Sequence, residues 1–254
     1  MRPWLPVSAV AASGWGIERL RRKSTARLAA AAFEVLMNAI EANDRETGLH
    51  VRRVASYALI LGDAAGLSDA ALRELERIAL FHDIGKIHEA LFDIVHDGRR
   101  LTPAERREIA THPERGARVL EPLDQFYPEL SRGVVAHHER WDGSGYPRGL
   151  RGTRIPLAAR IVAIADVFDV IANGRRYRRR GGAEAAALEI ARARGTQFDP
   201  DLVDVLLLPP ILERFAEQHR AHYRRPPRGD RRHQSQESFV PDIRFRWRSA
   251  SAAR

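Results

Sequence analysis

The chain has 254 residues, enough to bury a full core, and fits one large domain with extensions. It carries 42 basic against 33 acidic residues, a net charge of +9, and the basic residues are almost all arginine, Lys23 and Lys86 being the only lysines. It has no cysteine, which excludes disulfide scaffolds, thiolate zinc sites and cysteine nucleophiles.

Residues up to about Arg22 form a poorly patterned lead. Within it, Trp4 to Ile17 leans apolar but is broken by Pro6, Ser8, Ser13, Gly14 and Gly16. It is shorter than the roughly 20 residues a bilayer crossing needs, and it lacks the basic start and continuous apolar centre of a signal peptide. The expectation is a soluble, cytoplasmic protein with no membrane span and no receiver or sensor domain ahead of its compact part. Apolar spacing at Leu28, Ala32, Val35, Leu36 and Ile40 predicts a helix from Ser24 to Ala42. Asn43-Asp44 ends it or caps the next helix, Thr47 to Leu61, which stops near Gly62 to Gly66. Ser68 is an N-cap for a third helix through Phe81. Thr102-Pro103-Ala104-Glu105 starts another, with proline in the first turn and glutamate three residues after the cap. Two short helices carry His112 and His137-His138, and Gly143, Gly145, Pro147, Gly149 and Gly152 mark a long loop. Pro156 to Ala172, Ala183 to Arg194 and Asp201 to Gln218 complete the helices. No segment alternates long enough for a strand, so the fold class is all-α. The expected division is an N-terminal extension over 1–30, a compact helical domain over 31–218, and a basic tail over 219–254 that lacks a core-forming pattern and is predicted to be disordered.

Phe81-His82-Asp83-Ile84-Gly85-Lys86 sets a histidine and an aspartate inside an apolar helical pattern. Burying an unpaired carboxylate costs several kcal/mol on the order of magnitude, so the pair needs a partner such as a metal. Glu46 and His50 are four apart and share a helix face; the alternative is a helix-end carboxylate and a surface histidine. Asp83 has two oxygens and could bridge two cations, or it could cap the turn into Gly85. His137-His138 follows Val134-Val135-Ala136, and adjacent helical side chains diverge by about 100°, so both reach one ion only near a helix end. Asp166 sits inside Ile161-Val162-Ala163-Ile164-Ala165-Asp166-Val167-Phe168 and demands compensation, from a metal or an arginine. With His112, these groups taken together read more simply as one centre holding more than one ion than as many unrelated buried polar groups.

The chain resembles the HD-GYP branch of the HD phosphohydrolase superfamily. The likeness runs from about Ala31 to Ala216. It rests on Glu46-Thr47-Gly48-Leu49-His50, His82-Asp83-Ile84-Gly85-Lys86-Ile87, Thr111-His112-Pro113 with Gly116, and His137-His138-Glu139. It continues through Trp141-Asp142-Gly143-Ser144-Gly145-Tyr146-Pro147, Ala165-Asp166-Val167-Phe168-Asp169 and Phe198-Asp199-Pro200. The resemblance implies an HD-type helical bundle with extra C-terminal helices, the 31–218 region being the catalytic domain. It implies hydrolysis of cyclic di-GMP to pGpG or GMP, and a centre of two or three divalent ions, iron or manganese. By position, His50, His82, Asp83, His112, His137, His138 and Asp166 match the family's metal ligands. Glu46 matches the carboxylate of members with a third ion, and Asp83 the bridging ligand. A water or hydroxide held between two ions has a lowered pKa and can attack phosphorus. Asp83 and Lys86 are the candidate catalytic residues, Lys86 as a contact to the phosphate or an aid to the leaving oxygen. Gly145, Tyr146 and Pro147 line the cleft in the family, and Arg175 and Arg178 are candidates for gripping the substrate.

The sequence departs from the family at Gly174-Arg175-Arg176-Tyr177-Arg178, where an aspartate and a proline are usual. The arginine run could equally be a solvated basic face. His96-Asp97 repeats the His-Asp pair in a glycine-containing loop and is assigned no ligand role. Asp169 is assigned to supporting its helix or a neighbouring arginine, and His88, His219, His222 and His233 to the surface. Competing readings are an HD phosphohydrolase acting on another nucleotide (cyclic GMP-AMP or a guanosine polyphosphate) and a non-enzymatic module binding a cyclic dinucleotide or a partner. A signalling partner or a homodimer is compatible with the chain. Nucleic-acid binding finds little support, because no reader fold accompanies the charge.

Overall fold

The computed structural model describes residues 28–42, 44–87, 102–174 and 181–222. The lead before residue 28, His88, His96-Asp97, the arginine run from Arg175 to Arg180 and the tail from Tyr223 onward therefore lie outside the described residues. All regular structure among them is helical, apart from one isolated bridge between Arg194 and Phe198. The helices are α1 (28–42), α2 (Arg45–Ala64), α3 (Asp69–Phe81), α4 (Pro103–Ile109), α5 (His112–Leu120), α6 (Leu130–Ala136), α7 (Leu157–Asn173), α8 (Gly182–Arg192), α9 (Pro200–Leu207) and α10 (Pro209–Ala221). No helix among the described residues is long and apolar enough to cross a membrane.

Local chemistry explains most boundaries. Asp44 is in extended conformation and its carboxylate accepts from the amides of Glu46 at 3.1 Å and Thr47 at 3.3 Å, which starts α2 two residues earlier than expected. Gly62 does not stop α2; it is tolerated because leucine side chains of α3 and the α2–α3 turn crowd its Cα, leaving no room for a methyl group. Thr102 and Glu105 form a reciprocal capping box at α4. The single helix expected over Asp201 to Gln218 is two. Leu208 precedes Pro209 and is held extended (φ −60°, ψ 129°), so the chain breaks there and restarts with proline at the first turn of α10, which continues to Ala221.

α2 is the centre of the bundle, packing on α3, α7 and α10. Tyr57 of α2 sets its ring 4.9 Å from Phe168 of α7 and 5.2 Å from Phe215 of α10, all three fully buried. α1 joins through Phe33, stacked on Phe81 at 5.1 Å, and through an ion pair from Arg52 to Glu41. One α2 face thus lies against α7 while the other side meets α3, which aims His50, the α3 end and Asp166 at a common interior volume.

Candidate metal centre

His82 is the C-cap of α3, and Asp83 opens the short 3-10 turn Ile84–Ile87 that follows. Gly85 in that turn lies so close to the start of α5 that a Cβ would collide with the His112 carbonyl and lie 2.7 Å from the Gly116 nitrogen. The close approach brings His112, at the first position of α5, over Asp83. His137 caps the C-terminus of α6, and His138 follows it. His50 and Asp166 come from the interiors of α2 and α7.

Two groups of candidate ligands result, each with its ligand atoms within 4.8 Å of one another: Asp83, His112, His137 and His138, and His50, His82 and Asp83. Asp83 belongs to both. Its Oδ1 is 3.3 Å from His112 Nε2 and 3.8 Å from His137 Nε2; its Oδ2 is 3.5 Å from His82 Nε2 and 3.9 Å from His50 Nε2. Asp166 belongs to neither group but lies beside the second, its Oδ1 3.2 Å from His50 Nε2. The other oxygen-side contact of Asp83 is Lys86, whose Nζ donates to Oδ2 at 2.7 Å.

The hydrogen bonds on the far side of each ring fix what faces inward. His82, His112 and His137 each donate Nδ1–H to the carbonyl three residues earlier, Ala79, Ile109 and Val134, at 2.8, 2.7 and 2.6 Å. His50 donates Nδ1–H to Asp169 Oδ2 at 2.7 Å. In the neutral form each of these rings carries one hydrogen, and its Nε2 then presents a lone pair. His112 and His137 point these lone pairs at each other across 3.2 Å, and the others point at carboxylate oxygens. Buried Nε2 of His50 and His82, and Oδ1 of Asp83 and Asp166, have no hydrogen-bond donor. Acceptors facing acceptors in a buried space repel unless a cation lies between them. The donor set therefore fits a divalent metal.

At His112, His137 and His138 the electrostatics favour the neutral ring. Burial, and then the imidazoles of His138, His82 and His112, hold His137 well below the usual histidine range. Burial, with His112 and Lys86, lowers His138 to about 3, and burial lowers His112 against the opposing pull of Asp83. Burial would raise the Asp83 carboxyl, but Lys86 and His82 outweigh it and hold it well below the usual carboxylate range. At Asp166 burial is likewise overcome, here by His50. His50 is the exception among the imidazoles: burial opposes its charge, yet Asp166 and Asp169 raise its pKa.

The glycine-rich loop is fastened from beneath. Buried Glu139 accepts the amides of Arg148 at 2.7 Å and Leu150 at 2.9 Å, one on each oxygen. Gly145 lies against the backbone of 138–140, where a Cβ would sit 2.6 Å from Glu139 Cα. The Trp141 and Asp142 amides donate to the carbonyls of Gln197 and Thr196, in the turn between α8 and α9, and Arg160 pairs with Asp199 at 2.5 Å beneath Trp141. Tyr146 lies with its ring 4.9 Å from His138, joined to Pro147 by a cis peptide. Burial and the charges of Asp83 and Asp166 push its hydroxyl pKa up, so it stays an O–H donor beside the cluster.

Glu46 stands apart. It is exposed in the first turn of α2, belongs to neither ligand group, and sits where a carboxylate favours the helix dipole. The alternative of an arginine partner for Asp166 gives way to His50, and His219 and His222, expected at the surface, are partly buried on α10 and at its C-cap. Asp169 meets the arginine expected for it, Arg53, and His50 besides; Glu139 is a buried carboxylate whose work the motif reading did not assign, its one signal an acidic residue immediately after a candidate ligand.

A family profile described as HD domain matches residues 34–202, well over half of the chain. The chain belongs to the HD domain family, and its motifs and relatives place it in the HD-GYP branch. The 3'3'-cGAMP-specific phosphodiesterase 2 of Vibrio cholerae is 38% identical over 174 residues, which cover 68% of this chain and 33% of that protein. The cyclic di-GMP phosphodiesterase response regulator RpfG of Xanthomonas campestris pv. campestris is 36% identical over 192 residues, covering 75% of this chain and 48% of that protein. The crystal structure of a cyclic GMP-AMP specific phosphodiesterase of V. cholerae superposes with a TM-score of 0.54 at 25% identity, over 77% of this chain and 53% of that one. The chain thus spans a third to a half of the length of these curated relatives. Family and cluster together define a divalent-metal site.

Proposed function

We propose that the chain is a metal-dependent phosphodiesterase that hydrolyses cyclic di-GMP to pGpG or GMP, within a catalytic domain over 31–218. The observation that carries this reading is the membership of Asp83 in both ligand groups, which suits one carboxylate shared by two ions. His112, His137 and His138 would hold one ion, and His50, His82 and Asp166 the other. Glu46 is exposed, where Asp166 is ion-paired with buried His50, which favours two ions over three. Mixed imidazole and carboxylate donors suit iron or manganese better than calcium. When bound, such ions polarise a phosphoryl group and supply an activated water at neutral pH.

The chain's own residues do the rest. Asp83, held ionised by Lys86 and His82, keeps an acceptor oxygen toward each half of the site. Lys86, partly open to solvent, adds positive charge at the edge where an anionic diester would enter. Tyr146, kept protonated, offers a hydroxyl donor and an aromatic face to a nucleotide. Gly145, Tyr146 and Pro147 would form the substrate wall, with Arg175 and Arg178 as further anion contacts.

Cyclic GMP-AMP is the second reading, favoured by the 38% identity to the cGAMP-specific relative. Metal analysis with hydrolysis assays on cyclic di-GMP, 3'3'-cGAMP and a guanosine polyphosphate tests both. Loss of metal and of turnover together in Asp83→Ala is expected. Turnover unchanged in that variant would sink the mechanism.

A further inference from the structure

The imidazoles of the cluster are not all aimed by the same means. His82 and His137 stand at helix C-termini and His112 follows one, where carbonyls are free of the helical ladder and can take a ring N–H from three residues on. His50 is deep inside α2, where the preceding carbonyls are already used by the helix. It takes its acceptor from another helix, Asp169 of α7, one turn beyond Asp166.

We propose that Asp169 is a positioning residue of the metal centre, fixing His50 as the Nδ1–H tautomer so that its Nε2 lone pair faces the ions. This rests on the metal-dependent reading above. Four hydrogen bonds to Asp169 support it. Oδ2 accepts from His50 Nδ1 at 2.7 Å and from Arg53 Nη2 at 2.9 Å; Oδ1 accepts from Arg53 Nε at 2.7 Å and from Asn173 Nδ2 at 2.6 Å. The carboxylate is 1% exposed and is gripped by a two-pronged guanidinium, so it cannot turn away from the ring. A carboxylate behind a metal-binding histidine fixes the ring's tautomer and raises its basicity, and removing it typically weakens metal binding roughly 10- to 100-fold.

Asp169→Asn keeps the volume and reverses the chemistry. The amide has one acceptor oxygen for donors on both sides. With that oxygen on the Arg53 Nε and Asn173 side, its NH2 faces His50, whose Nδ1 must then accept and whose proton moves to Nε2, where the lone pair was. The control is Asp204→Asn, a carboxylate on α9 gripped by both prongs of Arg194 and given no part in the site. Manganese(II) affinity is measured by electron paramagnetic resonance of the free ion. The tautomer of His50 is read from long-range proton–nitrogen spectra of metal-free protein, at a pH where imidazoles are neutral. Expected are an Nε2–H His50 and a roughly 10- to 100-fold weaker manganese affinity in Asp169→Asn, with affinity unchanged in Asp204→Asn. An unswitched tautomer, an unchanged affinity, or an equal loss in Asp204→Asn each overturns the assignment. Failure of the wild type to hydrolyse any cyclic dinucleotide while binding manganese would remove the proposed activity and leave this assignment standing.

Discussion

Replacing Gly85 by alanine tests how the His-Asp turn is held to the helix that carries His112. A methyl group there meets backbone on every close contact: the His112 carbonyl, the Gly116 nitrogen at 2.7 Å and the His112 carbonyl carbon at 3.0 Å. No flexible side chain can yield, so the turn and α5 must move apart. Overpacking costs about 1–3 kcal/mol, and the rigid surroundings set the upper end, about 3 kcal/mol. For a domain of this size that corresponds to a fall in Tm of roughly 6–12 °C. Because the displaced helix begins with His112, manganese affinity should fall as well. Gly66→Ala is the comparison: its φ is 80° and nothing lies within 4 Å of the added Cβ, so it should cost roughly 1–2 kcal/mol through backbone conformation alone and leave manganese affinity unchanged. Circular-dichroism melts with and without manganese measure both. A Gly85→Ala protein that melts with the wild type and binds metal equally would refute the close-approach reasoning.

Glu139→Gln removes the negative charge and one of the two acceptors under the glycine-rich loop; a loss of about 1.5–3 kcal/mol in urea unfolding is expected, with faster tryptic cleavage at exposed Arg148, Arg151 and Arg154. Glu46→Gln should leave the bound-metal stoichiometry and the turnover within about twofold of wild type, since surface substitutions away from the site matter little; loss of one ion equivalent by elemental analysis would restore the three-ion expectation. The metal-free protein should lose stability as pH falls below the ordinary histidine value. His112, His137 and His138 have lowered folded pKa values, so the unfolded chain takes up more protons as the solution acidifies, and their sign outweighs the single raised group, His50, whose stabilisation is complete at low pH and fades as pH rises through its folded value. Calorimetry in chelator from neutral pH downward reads this, and a Tm that rises on acidification would contradict it.

Helical periodicity and capping chemistry made most of the bundle legible: Ser68, Thr102 and Glu105 work as their spacing indicates. The break at Leu208 was available in Pro209-Pro210 but is masked by an apolar pattern that runs through it. Of the cluster, the residues His50, His82, Asp83, His112, His137, His138 and Asp166 meet because three helix ends and two helix interiors converge, which motif order signals without distances. The distances decide Glu46, whose shared helix face with His50 places it a turn nearer the solvent-facing N-terminus of α2. Spacing along one helix also could not reveal Asp169 as a partner of His50, because that contact joins residues 119 apart in the chain.

The turn linking α8 to α9 supplies the carbonyls of Thr196 and Gln197 to the loop that carries Tyr146, and Asp199 anchors Arg160 below it. A chain cut short before that turn would retain each imidazole and carboxylate of the cluster, yet forfeit the moorings of the wall beside it. The late helices are thus less an appendage than a foundation: the turn between α8 and α9 holds in place the wall that stands beside His138.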